Sequence, residues 1–289
     1  MMKSTLLFLL LSLNLSATEY FVAKKGNNAN PGTSQEKPFL TIKKGVATLK
    51  SGDVLTIGPG EYFESIWCRV PGVTIKAKIP GTVLFRGDVD APAFKKTPGL
   101  DFVWEAKLEK APQAVNERDS LTIYISMSTP VETDDKASTY HYDQKNQKLY
   151  VHTSDSKAPD LHFLTLSMIR DFGLMFRKAS DITVDGLAFT GYNCSSHGGF
   201  PGNGTKWGLY TSSRASKNVQ FRNCTAFLNG GGIAINKAQN CLIENCTAYA
   251  NYSPFSSSGG NIIIWTPAKD SIERGNLTFR SARNGLRFY

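Results

Sequence analysis

Lys206, Lys237 and Arg287 are the residues of this sequence best placed to move a proton. Each sits at or next to an outward position of a short β-type run. A lysine or arginine there can act as a general base, while a second cation neutralises a nearby carboxylate. Lys178 aligns with Lys237 in an internal repeat and extends the basic row. His197, Lys178, Arg214, Tyr252 and Trp265 complete the candidate set as substrate-binding residues. Taken singly, such side chains are more often solvated surface groups. Asp185 and Glu244 share an outward column, roughly 9–10 Å apart by strand spacing. That separation suits an inverting pair of carboxylates. Arg222 lies between them, so a surface charge ladder is the stronger expectation. The sequence holds no nucleophile elbow, phosphate loop or zinc spacing.

The elements that must position these residues come from a repeat. Ser216–Asn229 and Ala238–Asn251 are copies: Asn218 maps to Asn240, Asn223 to Asn245, Cys224 to Cys246 and Thr225 to Thr247. A period of roughly 20–25 residues with short β-type runs between Asn and Gly signals a solenoid. Coils then stack about 4.8 Å apart, with side chains alternating inward and outward. Ile182, Val219 and Cys241 form one expected inward column, and Val184, Phe221 and Ile243 another. Asp185, Arg222 and Glu244 face outward. Cys224 and Cys246 read as buried small hydrophobes, since five cysteines are too few for a disulfide scaffold. Asn223 and Asn245 fall at a bend, where Asn tolerates left-handed geometry.

Charge divides the chain. Residues 18–165 carry 19 basic and 18 acidic side chains, and residues 166–289 carry 13 and 6. A basic repeat region favours a polyanionic partner. Residues 1–17 read as a secretory signal: Lys3, an apolar run from Leu6 to Leu13, then Ala17. The run is too short to span a bilayer, and no later stretch is longer. Export makes acidic polysaccharide the expected partner and argues against nucleic acid. The expected protein is a secreted monomer, extracellular or periplasmic.

Residues 18–85 read as a cap and the first coils. Tyr20–Ala23 is an expected strand, and Gly26–Thr33 a turn-rich loop. Pro38 opens an expected short helix with Phe39, Ile42, Val46 and Leu49 on one face, ended by Gly52. Such a helix covers the open end of a solenoid. Three segments carry a family resemblance: Tyr20–Ser34, Lys37–Ile42 and Ser51–Tyr62. Together they resemble the opening of secreted right-handed parallel β-helix proteins of the pectin-lyase-like superfamily, and family 9 pectate lyases start in a similar way. The resemblance implies an all-β right-handed parallel β-helix with an N-terminal cap helix, active on polysaccharide. It contains no catalytic residue.

Residues 86–165 break the rhythm and read as a β-rich insertion, with a hairpin across Tyr140–His152. Its Tyr140, Tyr142, Tyr150 and Trp104 suit either glycan contact or the packing of a small subdomain. Residues 166–289 resume the coils, interrupted by excursions at Gly191–Trp207 and Asn251–Gly260. If both emerge on one side, they wall a groove. The chain stops inside a strand-like run at Tyr289, which is read as truncation, with active-site coils beyond it.

The resulting expectation is a lyase cleaving a uronic-acid polysaccharide by β-elimination. A glycoside hydrolase of the same fold and a non-catalytic glycan-binding module are the alternatives. Calcium is a candidate cofactor, because family 9 pectate lyases are known for an acidic calcium cluster and a lysine base. Here the coil region offers only Asp171, Asp181, Asp185, Glu244, Asp270 and Glu273. Asp181 and Asp270 occupy a turn position, and the family pattern cannot be placed residue by residue.

Overall fold

The computed structural model describes residues 17–169, 171–193, 206–212, 215–252, 260–265, 269–281 and 285–288. The chain winds as a three-faced solenoid of parallel strands. The first face stacks Glu19–Val22, Val54–Ile57, Thr74–Ala77, Ile182–Asp185, Val219–Arg222, Leu242–Glu244 and Ile272–Arg274. The second stacks Gly60–Tyr62, Val83–Arg86, Leu187–Thr190, Thr225–Phe227, Thr247–Tyr249 and Leu277–Phe279. The third stacks Ile66–Cys68, Leu174–Phe176, Trp207–Ser212, Gly231–Asn236, Ile262–Trp265 and Leu286–Phe288.

Alternation along each strand builds the core. On the first face, Leu55, Ile75, Val184, Phe221, Ile243 and Glu273 pair in one inward column. The first five are fully buried. On the second face, Phe85 and Phe189 pair directly, with ring centroids 4.9 Å apart. Each buried ring or branched side chain contributes about 1.5–3 kcal/mol. Truncating Phe221 to alanine would therefore cost about 3–5 kcal/mol. Cys224 and Cys246 lie in this core as free thiols, and burial pushes the Cys224 thiol well up.

Corners follow from residues that accept a left-handed backbone. Asp181, Asn218, Asn240 and Asp270 precede the first face with φ between 51° and 59°. Asn223 and Asn245 turn the chain from first face to second, at φ 51° and 52°, where other coils use Gly186 and Gly275. The Asn223 amide also donates to Asp185 at 2.8 Å.

Helix α1 (Ile42–Thr48) packs beside Val54–Ile57 and Ile66–Cys68 and covers the end of the core. It begins four residues later than the sequence suggested. Pro38 and Phe39 stay extended, because Phe39 bridges to Val22. Thr41 is the N-cap, its hydroxyl accepting from the Lys44 N–H. The Glu64 carboxylate takes the next N–H groups, those of Ile42 and Lys43, at 2.9 and 2.8 Å.

Residues 88–167 build two further sheets. One joins Thr122–Ile123, Ala114–Glu117, Leu164–Ser167 and Asp88–Asp90. The other contains the hairpin Thr139–Asp143 and Lys148–His152. The unit lies back along the coils. Ala114 and Ile123 pack on Leu228 and Ala250, and Arg280 donates to the Ser120 carbonyl at 2.6 Å. At its root the Asp88 carboxylate is buried between Arg86 and Arg118, each 3.0 Å away. Burial opposes the Arg86 charge, yet hydrogen bonds to Asp90, Glu61 and Asp88 hold its pKa above the ordinary value.

Candidate functional site

One corner, between second and third face, carries the long departure of residues 88–167. The sequence-read excursions Gly191–Trp207 and Asn251–Gly260 fall largely outside the described residues; the described strands on either side of each belong to the second and third faces. The corner is held from inside by a buried amide ladder. Asn229 Nδ2 donates to Asn251 Oδ1 at 3.0 Å, and Asn251 Nδ2 to Asn261 Oδ1 at 2.9 Å. Tyr192 lies beneath it, its phenol pKa raised well above normal by burial and by the Asp88 and Glu64 carboxylates.

Outward from this corner, the third face carries aromatic rings from successive coils. Trp67 meets Phe172 edge-on at 6.1 Å. Phe172 stacks on Tyr210 at 5.2 Å, and Trp207 on Tyr210 at 5.9 Å. Polar groups fix these rings. Asp171 Oδ2 accepts from the Trp67 indole N–H at 2.7 Å, and its Oδ1 accepts from the Phe172 backbone N–H at 2.8 Å. The Asn236 amide donates to the Tyr210 hydroxyl at 3.0 Å. Lys206 places its ammonium 5.3 Å from the Phe172 ring centroid, a cation–π contact. The result is a set of flat apolar surfaces rimmed by an ammonium, an amide and a carboxylate. Such a surface takes a ligand with apolar faces and polar edges.

Glycines let the coils come close enough for this stacking. A Cβ on Gly173 would lie 2.5 Å from the Gly208 carbonyl oxygen, and one on Gly208 would lie 2.7 Å from Phe189 Cβ. The pairs Phe172-Gly173 and Trp207-Gly208 thus recur at the same point of neighbouring coils. That recurrence was the sequence signal for the platform, which had not been singled out.

The candidates from the sequence separate spatially. Lys206 joins the platform. Arg287 stands farther along the same outward column, through Trp67, Met175, Tyr210, Ala234 and Ile263. Trp265 pairs with Asn236 on the third face. Lys178 and Lys237 occupy the opposite edge of that face as exposed left-handed turn residues, φ 56° and 61°. Tyr252 instead packs with the insertion cluster around Leu228 and Ala250. His197 and Arg214 lie outside the described residues.

The carboxylates are mostly committed elsewhere. Asp185 accepts from Asn223, and Glu244 is held by Arg222 at 3.5 Å and Arg274 at 2.5 Å. Glu273 points into the inward column, where burial pushes its pKa up to about 7. Tyr140 and Tyr150 are buried within the insertion, and the Tyr142 hydroxyl donates to the Leu108 carbonyl at 2.9 Å. Among the described residues, one group of acidic and histidine side chains converges closely enough for a metal: Glu117, Asp119 and His162, in the insertion. Among the described residues, the third face offers the Asp171 carboxylate, which is bonded to Trp67.

The right handed beta helix region family matches residues 138–277. A family described as a protein of unknown function, DUF1565, matches residues 24–129. The fold is a right-handed parallel β-helix. No curated protein matches it in sequence. The β-helix is similar to the structure of a glycoside hydrolase, with 10% identity and a TM-score of 0.58, over 86% of this chain and 67% of that one. It is similar to a rhamnogalacturonan lyase, with 14% identity and a TM-score of 0.51, over 94% and 54%. It is also similar to pectate lyase Pel9A, with 14% identity and a TM-score of 0.50, over 94% and 50%. The chain thus spans about half to two thirds of the length of these structures, and the likeness is one of fold. Among the described residues, no helix is long and apolar enough to cross a membrane.

Proposed function

We propose that this β-helix is a secreted protein that binds an acidic polysaccharide along its third face and cleaves it as a lyase. The observation that carries the reading is the Lys206 ammonium set beside the Trp67–Phe172–Tyr210 platform. Sugar rings have apolar C–H faces and a hydroxyl rim, which match stacked rings bordered by Asn236 and Asp171. The excess of basic residues in 166–289 suits a polymer of uronic acids. Fold similarity to polysaccharide lyases and to a glycoside hydrolase agrees with a carbohydrate substrate.

In β-elimination the base removes the proton alpha to the uronate carboxylate. The C–H bond pair becomes the ring double bond, and the bond to the glycosidic oxygen breaks, its electron pair leaving on that oxygen, which takes a proton from water. Lys206, once deprotonated, is the proposed base. Stacking on Phe172 and Tyr210 holds the sugar against it. Arg287, Lys178 and Lys237 border the same face, where they meet the carboxylates of neighbouring sugars. Hydrolysis is less well supported, because Asp185 and Glu244 are tied to structural partners on another face.

The test is to incubate the purified protein with pectate, alginate and a glycosaminoglycan, with and without Ca²⁺, and follow ultraviolet absorbance of the unsaturated product. A rise on one of them supports the lyase. Release of reducing ends without that absorbance would replace it with hydrolysis. Binding without either would leave a glycan-binding module.

A further inference from the structure

The platform does not stop at Trp67. Beyond it a cleft of about 460 Å³ opens between helix α1 and the first coil. Its walls are Val46 and Ala47 from the helix, and Ser65, Trp67 and Arg69 from the coil, with Lys43 at the rim. A cleft of this size falls in the range that holds small ligands.

Two features mark it as a built site. The first is Trp67, which is 38% exposed and held in place by its indole bond to Asp171. It is shared by the cleft and the platform. The second is charge: Lys43 and Arg69 are exposed cations, and no acidic side chain lines the cleft. Glu64, next along the chain, spends both carboxylate oxygens on the N–H groups of Ile42 and Lys43.

We propose that this cleft is an end subsite for one uronic-acid residue of the chain bound on the third face. The sugar face stacks on Trp67, and its carboxylate meets Lys43 and Arg69. The subsite rests on the polyuronide reading of that face and adds to it a direction. The polymer runs along the solenoid axis toward the cap, and its terminal acid is read there.

Calorimetric titration tests this on the full chain, with oligogalacturonates and oligomannuronates of increasing length, as free acids and as methyl esters. The proteins are the wild type, Arg69→Gln, Lys43→Gln and Tyr210→Ala. The wild type should prefer free acids. Arg69→Gln and Lys43→Gln should each lower affinity for the acids about tenfold, the loss of one charge-assisted contact. They should also bring acid and ester to parity, and Arg69→Lys should restore part of the preference. Unchanged acid preference in both variants, with binding lost in Tyr210→Ala, would overturn the subsite while leaving the third face standing. No binding of either oligomer series by the wild type would overturn both.

Discussion

Phe172 and Tyr210 lie face to face, with ring centroids 5.2 Å apart and planes 9° from parallel, although they belong to neighbouring coils. The register of strands Leu174–Phe176 and Trp207–Ser212 sets Met175 opposite Tyr210, so the Phe172 ring, from just before its strand, meets Tyr210 diagonally across the coils.

Tyr210→Ala should weaken polysaccharide binding by about tenfold, and the wild-type stack itself is worth about 0.5–1.5 kcal/mol. Tyr210 is half-buried, so the variant should keep the far-ultraviolet circular dichroism of the wild type. Titration of both proteins with polygalacturonate provides the comparison. Equal affinities would remove the platform from the binding site.

Glu244 distinguishes the lyase from a hydrolase. It bridges Arg222 and Arg274 in a charge ladder on the first face. Exposed ion pairs contribute about 0–1 kcal/mol and weaken with salt. Glu244→Gln should therefore shift chemical denaturation by less than about 1 kcal/mol, and leave turnover unchanged. A large loss of turnover would point to carboxylate chemistry on the first face instead.

The insertion carries a pH dependence. His162 bonds Asp119 through Nδ1 and Asp155 through Nε2, each at 2.9 Å, with the buried Glu117 carboxylate 3.5 Å from Nδ1. Only the imidazolium can donate from both nitrogens. Burial opposes its charge, but Asp119, Glu117 and Asp155 raise its pKa above the ordinary 6.5. Lys157 is paired with Asp155, and the Tyr124 hydroxyl donates to Glu117. The raised histidine stabilises the fold fully below the unfolded value of 6.5 and loses that contribution as pH rises through its folded pKa. Hydrogen exchange in strand Ala114–Glu117 should accelerate over that window. His162→Gln should flatten the dependence, and an unchanged slope in that variant would assign it elsewhere.

Asn251 holds the corner from which residues 88–167 leave the coil. It accepts from Asn229 and donates to Asn261 and to the Ala226 carbonyl at 2.9 Å. Asn251→Leu strands several buried polar groups, each costing about 1–3 kcal/mol. The melting temperature should fall by several degrees, roughly 2–4 °C for each kcal/mol in a chain of this size. A melting temperature equal to wild type would show that the ladder is not what fixes the corner.

The coil register was legible because the repeat of Asn223, Cys224 and Thr225 at Asn245, Cys246 and Thr247 marks both corner and core. Asn229 and Asn251 sit in the same copies, yet their ladder was not read. An interior amide at a corner looks like an ordinary loop Asn until the coils are stacked. The start of helix α1 was displaced because Glu64, distant in sequence, supplies half of its cap. Lys206 was legible as a lysine beside a strand. Its aromatic neighbours were not, because Trp67 and Phe172 are separated in sequence by the whole insertion. The tyrosines of the insertion drew notice through their density in one segment, and they serve its own packing.

The most direct measurement compares wild type with Lys206→Ala on the polyuronide that the wild type degrades, recording both unsaturated-product absorbance and binding affinity. The account predicts that Lys206→Ala loses the absorbance rise by at least about a hundredfold, the usual contribution of a general base, while still binding the polymer. A Lys206→Ala variant that turns over at the wild-type rate would contradict it.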